Sequence, residues 1–167
     1  NAKMKPPLNA EEDRQALIEA LEDGTINCIA TDHAPHSAGK KENVFDGSPF
    51  GVIGMETAFP VLYTEFVSTG KWTLDFLVER MTVAPAKIMN KPWGTLRKGA
   101  AADFSLLELD KPYTFQRRHL RSRSSNCPWL GEQMKARIAA TFVDGKLAHE
   151  NPDVFPDGVL TAGATAK

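Results

Sequence analysis

Ile29-Ala30-Thr31-Asp32-His33-Ala34-Pro35-His36 is the stretch on which the fold turns. It completes the short apolar run Ile26-Asn27-Cys28-Ile29-Ala30-Thr31, which reads as a buried strand. One carboxylate and two imidazoles follow at once. From Asp32 to Gly54 the chain carries Pro35, Gly39, Gly47, Pro49, Gly51 and Gly54, the makeup of a long functional loop. A helix is predicted next, with Ala58, Phe59, Leu62, Tyr63, Phe66 and Val67 at helical spacing and Pro60 tolerable only in its first turn. Strand, loop and covering helix make one βα step of a parallel barrel, where reactive groups sit at the carboxyl ends of strands. Asp32 falls at such an end.

Upstream, Asn9 reads as a helix N-cap with Glu12 completing a capping box, Leu17, Ala20 and Leu21 as the apolar stripe, and Gly24 as the stop. Downstream, Thr73 caps a helix running to Met81, and Pro85 opens a short one ending near Asn90. The character then changes. Asp103 to Leu109 reads as a strand. Ile138, Ala140 and Phe142 alternate with Arg137, Ala139 and Thr141 as a half-buried strand, and Asp144-Gly145 turns the chain into Lys146-Leu147-Ala148-His149. The expected organisation is α/β over residues 1–90, a small β-rich unit over 91–150, and a flexible tail over 151–167.

The 167 residues are 42% hydrophobic and 25% charged, as in soluble globular domains, and the formal net charge is −1. That balance gives no pull toward nucleic acid or an anionic membrane. The one basic cluster, Arg117, Arg118, Arg121 and Arg123 around His119, reads as a solvated segment. No apolar run approaches the roughly 18 residues of a membrane helix. Two cysteines make no disulfide framework, and Cys28 reads as a buried thiol; a cytoplasmic location is expected. No signal peptide is visible, and Asn1-Ala2-Lys3-Met4 reads as the interior of a longer protein.

Spacing alone leaves the chemistry of Asp32, His33 and His36 open. A catalytic zinc site needs about three protein ligands, and the other histidines, His119 and His149, lie in the β-rich part. Either the cluster has no metal role, or most ligands lie in further upstream sequence.

Thr31-Asp32-His33-Ala34-Pro35-His36 resembles the signature of the dihydroorotases, cyclic amidohydrolases of pyrimidine synthesis. Met4-Lys5-Pro6-Pro7-Leu8, Ser48-Pro49-Phe50-Gly51, Gly54-Met55-Glu56-Thr57-Ala58-Phe59-Pro60, Gly94-Thr95-Leu96 and Gly99-Ala100-Ala101-Ala102-Asp103 resemble further segments of that family in the same order. The resemblance implies the C-terminal part of a metal-dependent (β/α)8 barrel, followed by the C-terminal share of a small β-sandwich domain. It implies a zinc cofactor of one or two ions, with the remaining ligands upstream. Asp32 would touch the metal and serve as general acid and base. His36 would hold the substrate carboxylate, and the backbone of Phe50 and Gly51 would meet the substrate ring. For His33, support of Asp32 and a purely structural role both stay open. Lys5 and Asn9 depart from the family, which often has asparagine and arginine there.

The expected activity of the complete protein is interconversion of (S)-dihydroorotate and N-carbamoyl-L-aspartate, with this segment inactive alone. The expected partners are a small-molecule substrate, a second copy in a homodimer, and aspartate carbamoyltransferase. Two further readings are a hydantoinase-like cyclic amidohydrolase and a catalytically silent dihydroorotase-like scaffold.

Overall fold

A computed structural model describes residues 3–158. Helix α1 spans Glu11–Glu22. Its cap lies one residue later than the sequence predicts. Ala10 takes the N-cap position and donates its N–H to the Asp13 carboxylate at 3.2 Å. Ala10 has no side-chain acceptor, so only half of a capping box can form. Three acidic residues in the first turn suit the positive end of the helix dipole. The apolar stripe is also rotated. Ile18 and Leu21 are buried, whereas Leu17 is 60% exposed. Gly24, at φ +87°, ends the helix, and the Ile26 N–H returns to the Ala20 carbonyl at 2.7 Å.

The predicted strand over Ile26–Thr31 does not pair in a sheet among the described residues. A strand exists through its neighbours' hydrogen bonds, and the nearest equivalent here is one bond from the Ile29 N–H to the Arg80 carbonyl, 3.1 Å. Ile26 and Ile29 still pack on the apolar cluster. Cys28 is only half-buried, because its segment pairs with no strand among the described residues; Cys127 is the buried thiol.

The loop after Asp32 is more ordered than its composition suggests. It contains a short helix α2, Ala38–Lys41, and a 3-10 turn at Phe45–Gly47. Two lysines staple it. The Lys3 ammonium donates to the carbonyls of Phe45 and Asp46 at 2.7 and 3.0 Å. The Lys41 ammonium donates to those of Pro49 and Gly51 at 2.9 and 3.0 Å.

Helix α3, Ala58–Leu62, keeps Pro60 in its first turn as expected, then widens into a π-helical turn over Tyr63–Val67 closed by Ser68 N–H to Tyr63 O, 2.8 Å. The Thr64 hydroxyl donates to the Pro60 carbonyl and accepts the Lys135 N–H at 2.9 Å, which fixes the helix on the sheet. Helix α4, Leu74–Met81, has its predicted cap: Thr73 Oγ1 accepts the Phe76 N–H at 3.1 Å. Helix α5 covers Val83–Ile88.

Three antiparallel strands follow in the order β1-β2-β3: Phe104–Thr114, Gln133–Val143 and Lys146–Glu150. The Asp144-Gly145 turn has both residues at positive φ, as a tight hairpin requires. Strand β1 runs past the expected Leu109 because an irregularity between Leu109 and Tyr113 takes Pro112 out of the ladder.

Strand β2 departs from the half-buried pattern. Met134, Ala136, Arg137, Ala139 and Ala140 are all buried. One face joins the helices: Ala136 shares a cluster with Ile18, Leu21, Phe59, Tyr63, Trp72 and Leu77. Met134 joins a second cluster with Ile53, Phe115, Leu120 and Cys127. Arg137 is held by Glu108 at 2.8 Å and Asp153 at 3.4 Å. The segment expected as a flexible tail is thus anchored as far as it is described. The Asn151 N–H donates to the Ala139 carbonyl at 2.8 Å. Residues 159–167 lie outside the described residues.

Candidate active site

Asp32 sits at φ +44°, a left-handed conformation that aspartate tolerates better than most side chains. Its carboxylate is exposed and makes no hydrogen bond or ion pair among the described residues. Thr31, before it, is packed so closely that a Cβ on Gly54 would lie 3.0 Å from the Thr31 Cβ. A side chain at 54 would make Thr31 give way by a few tenths of an ångström.

His33 turns away from solvent. Its Nδ1 accepts the N–H groups of Gly54 and Met55, each at 3.2 Å. A ring nitrogen that accepts two N–H groups carries no proton, so the ring proton sits on Nε2. The Glu56 carboxylate, 4.0 Å from the same Nδ1, is therefore not an ion-pair partner of it. Glu56 instead accepts the N–H groups of Arg121 and Ser122 at 3.0 and 3.1 Å. His33 is a bracket between the motif and the start of α3.

His36 is built differently. Its Nε2 lies 2.8 Å from the Phe50 carbonyl oxygen and must donate there. Nδ1 is left to meet a ligand. The structure thus joins His36 to Phe50–Gly51, three of the predicted site residues, across 14 positions of sequence. Phe50 is 47% exposed, with the Lys3 ammonium 4.6 Å from its ring centre. Gly51 has φ +95°, and a Cβ there would stand 2.5 Å from the Ala34 Cβ. Its glycine serves packing against the motif itself. The Gly51 N–H is taken by the Lys3 carbonyl at 2.9 Å.

Asn126 was not legible as a site residue. It lies between β1 and β2, is 4% exposed, and reaches the motif from 90 positions away. Its side chain bonds the His36 N–H at 3.0 Å, the Ala34 carbonyl at 2.8 Å and the Gly51 carbonyl at 3.4 Å. Ser124-Ser125-Asn126 reads as loop, and nothing in its spacing points back to residue 36.

Asp32, His36, Phe50 and Gly51 do not line the cavity of about 670 Å³ that opens between β2, β3 and the start of α3. His33, Glu56, His119, Arg121, Arg137 and His149 do. Burial pushes the His119 and His149 imidazoles below their ordinary value, and pushes Tyr113 up to about 12. Burial alone would raise Asp153, but hydrogen bonds from His119 and Arg118 outweigh it and hold the carboxyl below its usual range. The basic cluster is only partly solvated. Arg118 pairs with Asp153, and Arg117 caps the carbonyls of Leu120, Ser122 and Arg123.

No three metal-ligating side chains are gathered among the described residues. Asp32, a free carboxylate at the surface, is suited to give one oxygen ligand to a hard or borderline cation and cannot hold one alone. No helix among the described residues is long and apolar enough to cross a membrane.

The chain is 46% identical over 149 residues to a dihydroorotase of Macrococcus caseolyticus and 47% identical over 150 residues to a dihydroorotase of Bacillus subtilis. These alignments cover 89% and 90% of this chain and 35% of each relative, so the chain spans about a third of their length. Among solved structures, it resembles an L-hydantoinase from Arthrobacter aurescens at TM-score 0.82 and 32% identity, over 89% of this chain and 34% of that one. A D-hydantoinase from Thermus sp. matches at TM-score 0.80 and 25% identity, over the same shares. Since the family model extends over residues 4–148 and so takes in the motif, the stapled loop, the helices and nearly all of the sheet, this chain belongs to the amidohydrolase family.

Proposed function

We propose that the chain is the C-terminal part of a zinc-dependent dihydroorotase that interconverts (S)-dihydroorotate and N-carbamoyl-L-aspartate in pyrimidine biosynthesis. In this reading residues 1–90 complete a (β/α)8 barrel and residues 91–150 contribute to a small β-sandwich. The remaining metal ligands come from other parts of the polypeptide. His36 carries the proposal. With Nε2 committed to Phe50, its Nδ1 is the nitrogen left for a ligand, and it donates to a substrate carboxylate as the imidazolium, the form in which both ring nitrogens carry protons.

Asp32 would be one ligand of the zinc, which when bound lowers the pKa of water and polarises the ring carbonyl. In ring opening the Asp32 carboxylate takes a proton from the attacking water and delivers it to the departing amide nitrogen. In ring closure it runs the transfer in reverse. An unpartnered carboxylate suits both directions, since no hydrogen bond must be broken first. His36 holds the substrate carboxylate, and Phe50 and Gly51 border the ring.

The hydantoinase likeness supports a second reading, opening of a cyclic diamide without that carboxylate. The higher identities to proteins named dihydroorotase favour the first. A panel of dihydroorotate, hydantoin and dihydropyrimidine substrates on the complete zinc-loaded protein separates them. Turnover of dihydroorotate above the others is expected; turnover of hydantoin alone overturns the assignment. The 167-residue chain by itself is expected to show no turnover.

A further inference from the structure

The Asn126 side chain makes three hydrogen bonds, and together they span the two limbs of the loop. Its amide orientation is settled by its partners. Two carbonyls, Ala34 and Gly51, must face the NH2 group, and one backbone N–H, His36, must face the oxygen. Ala34 and His36 flank Pro35, so the amide clamps the turn that carries the motif. Gly51 adjoins Phe50, whose carbonyl receives the His36 ring. One side chain therefore sets the backbone at both ends of the His36–Phe50 hydrogen bond. Asn126 is itself fixed, because its own carbonyl accepts the Ile53 N–H at 3.0 Å and its neighbour Cys127 is buried.

Asp32 has separate anchorage. Thr31 packs on Gly54, and His33 is bonded to Gly54 and Met55. Those contacts are made by residues on the N-terminal side of Ala34 and do not pass through Asn126.

We infer that Asn126 is a positioning residue for substrate binding: it aims His36 while leaving the acid–base group Asp32 in place. This rests on the proposed amide-hydrolase function. Asparagine suits the position in a way its isostere does not. Aspartate would keep the acceptor for the His36 N–H but set a carboxylate oxygen against two carbonyls inside a buried site.

The test uses the complete protein with Asn126→Asp and Asn126→Ala. Each is measured by steady-state kinetics on dihydroorotate, by thermal melting, and by ¹⁵N NMR of the His36 ring. KM is expected to rise about tenfold or more, with kcat within about threefold of the parent. The His36 Nε2–H, bonded to the Phe50 carbonyl, is expected to exchange with solvent more slowly in the parent than a free imidazole N–H and to lose that protection in both variants. An unchanged KM in a folded variant overturns the inference, as does a fall in kcat that tracks a lowered melting temperature. If the parent protein does not turn over dihydroorotate, the functional reading fails, and the NMR measurement still decides the clamp: lost protection supports it and retained protection overturns it.

Discussion

The Phe50 carbonyl oxygen lies 2.8 Å from Nε2 of His36, so the imidazole spends one nitrogen on the loop and offers the other outward. Replacing His36 with alanine removes that outward nitrogen and the cross-loop bond together. A hydrogen bond to a charged group contributes about 1.5–3 kcal/mol, which sets an expected rise in KM for dihydroorotate of about 10- to 100-fold. The neutral hydantoin ring lacks the carboxylate, so its KM is expected to change less. Parallel kinetics on the two substrates check this.

Asp32→Asn is expected to fold normally. Asparagine also tolerates a positive φ, and the parent carboxylate makes no bond that would be lost. The amide cannot shuttle a proton, so kcat of the complete protein should fall by about 10²- to 10⁴-fold. Matching melting curves alongside lost turnover are the expected result.

Gly51→Ala should destabilise the fold by about 1–3 kcal/mol. The new methyl would sit 2.5 Å from the Ala34 Cβ, at a backbone φ of +95°. These two penalties can be separated. Adding Ala34→Gly relieves the contact and leaves the backbone strain, so the double variant should recover part of the loss. Urea midpoints of the three proteins give the comparison.

Acid should loosen the segment from Asn151 to Gly158. Asp153 binds His119 at 3.0 Å as well as Arg118 and Arg137, and its folded pKa is depressed. Its contribution is complete above the ordinary aspartate value. As pH falls from there toward the lowered value, the unfolded chain takes up the proton first and the contribution is lost. Burial also depresses His119, so folding favours its neutral ring. That contribution is complete above the ordinary imidazole value and declines as pH drops below it. Both effects weaken the fold on acidification, in two separate windows. Asp153→Asn should flatten the lower one, measured as urea stability against pH.

Much of this architecture was legible because its signals are local. Asp144-Gly145 specifies a hairpin within two residues, Thr73 caps α4 from its own position, and Pro60 marks a first turn. The motif from Thr31 to His36 was legible for the same reason, and so was its likeness to one family. The missed features depend on distant partners. Ile26–Thr31 has strand composition, yet a ladder is made by neighbours. Lys3 and Lys41 look like ordinary surface cations until four loop carbonyls converge on them. Asn126 and the His33 bracket become visible only once the loop has folded back. In each case the deciding partner lies too far along the chain for periodicity or spacing to register.

Over its middle, 136–140, strand β2 has no exposed residue, and this governs how the chain can change over evolutionary time. An ordinary strand with one wet face drifts freely at every second position. Here Ala136, Ala139 and Ala140 are each less than 5% exposed. Even one added methylene at these positions must overpack a filled space. Arg137, between them, is tied to carboxylates on two other segments. Neutral drift is left to exposed positions such as Gln133, Lys135 and Val143. The plainest residues of the sheet, three alanines, are therefore among its least replaceable.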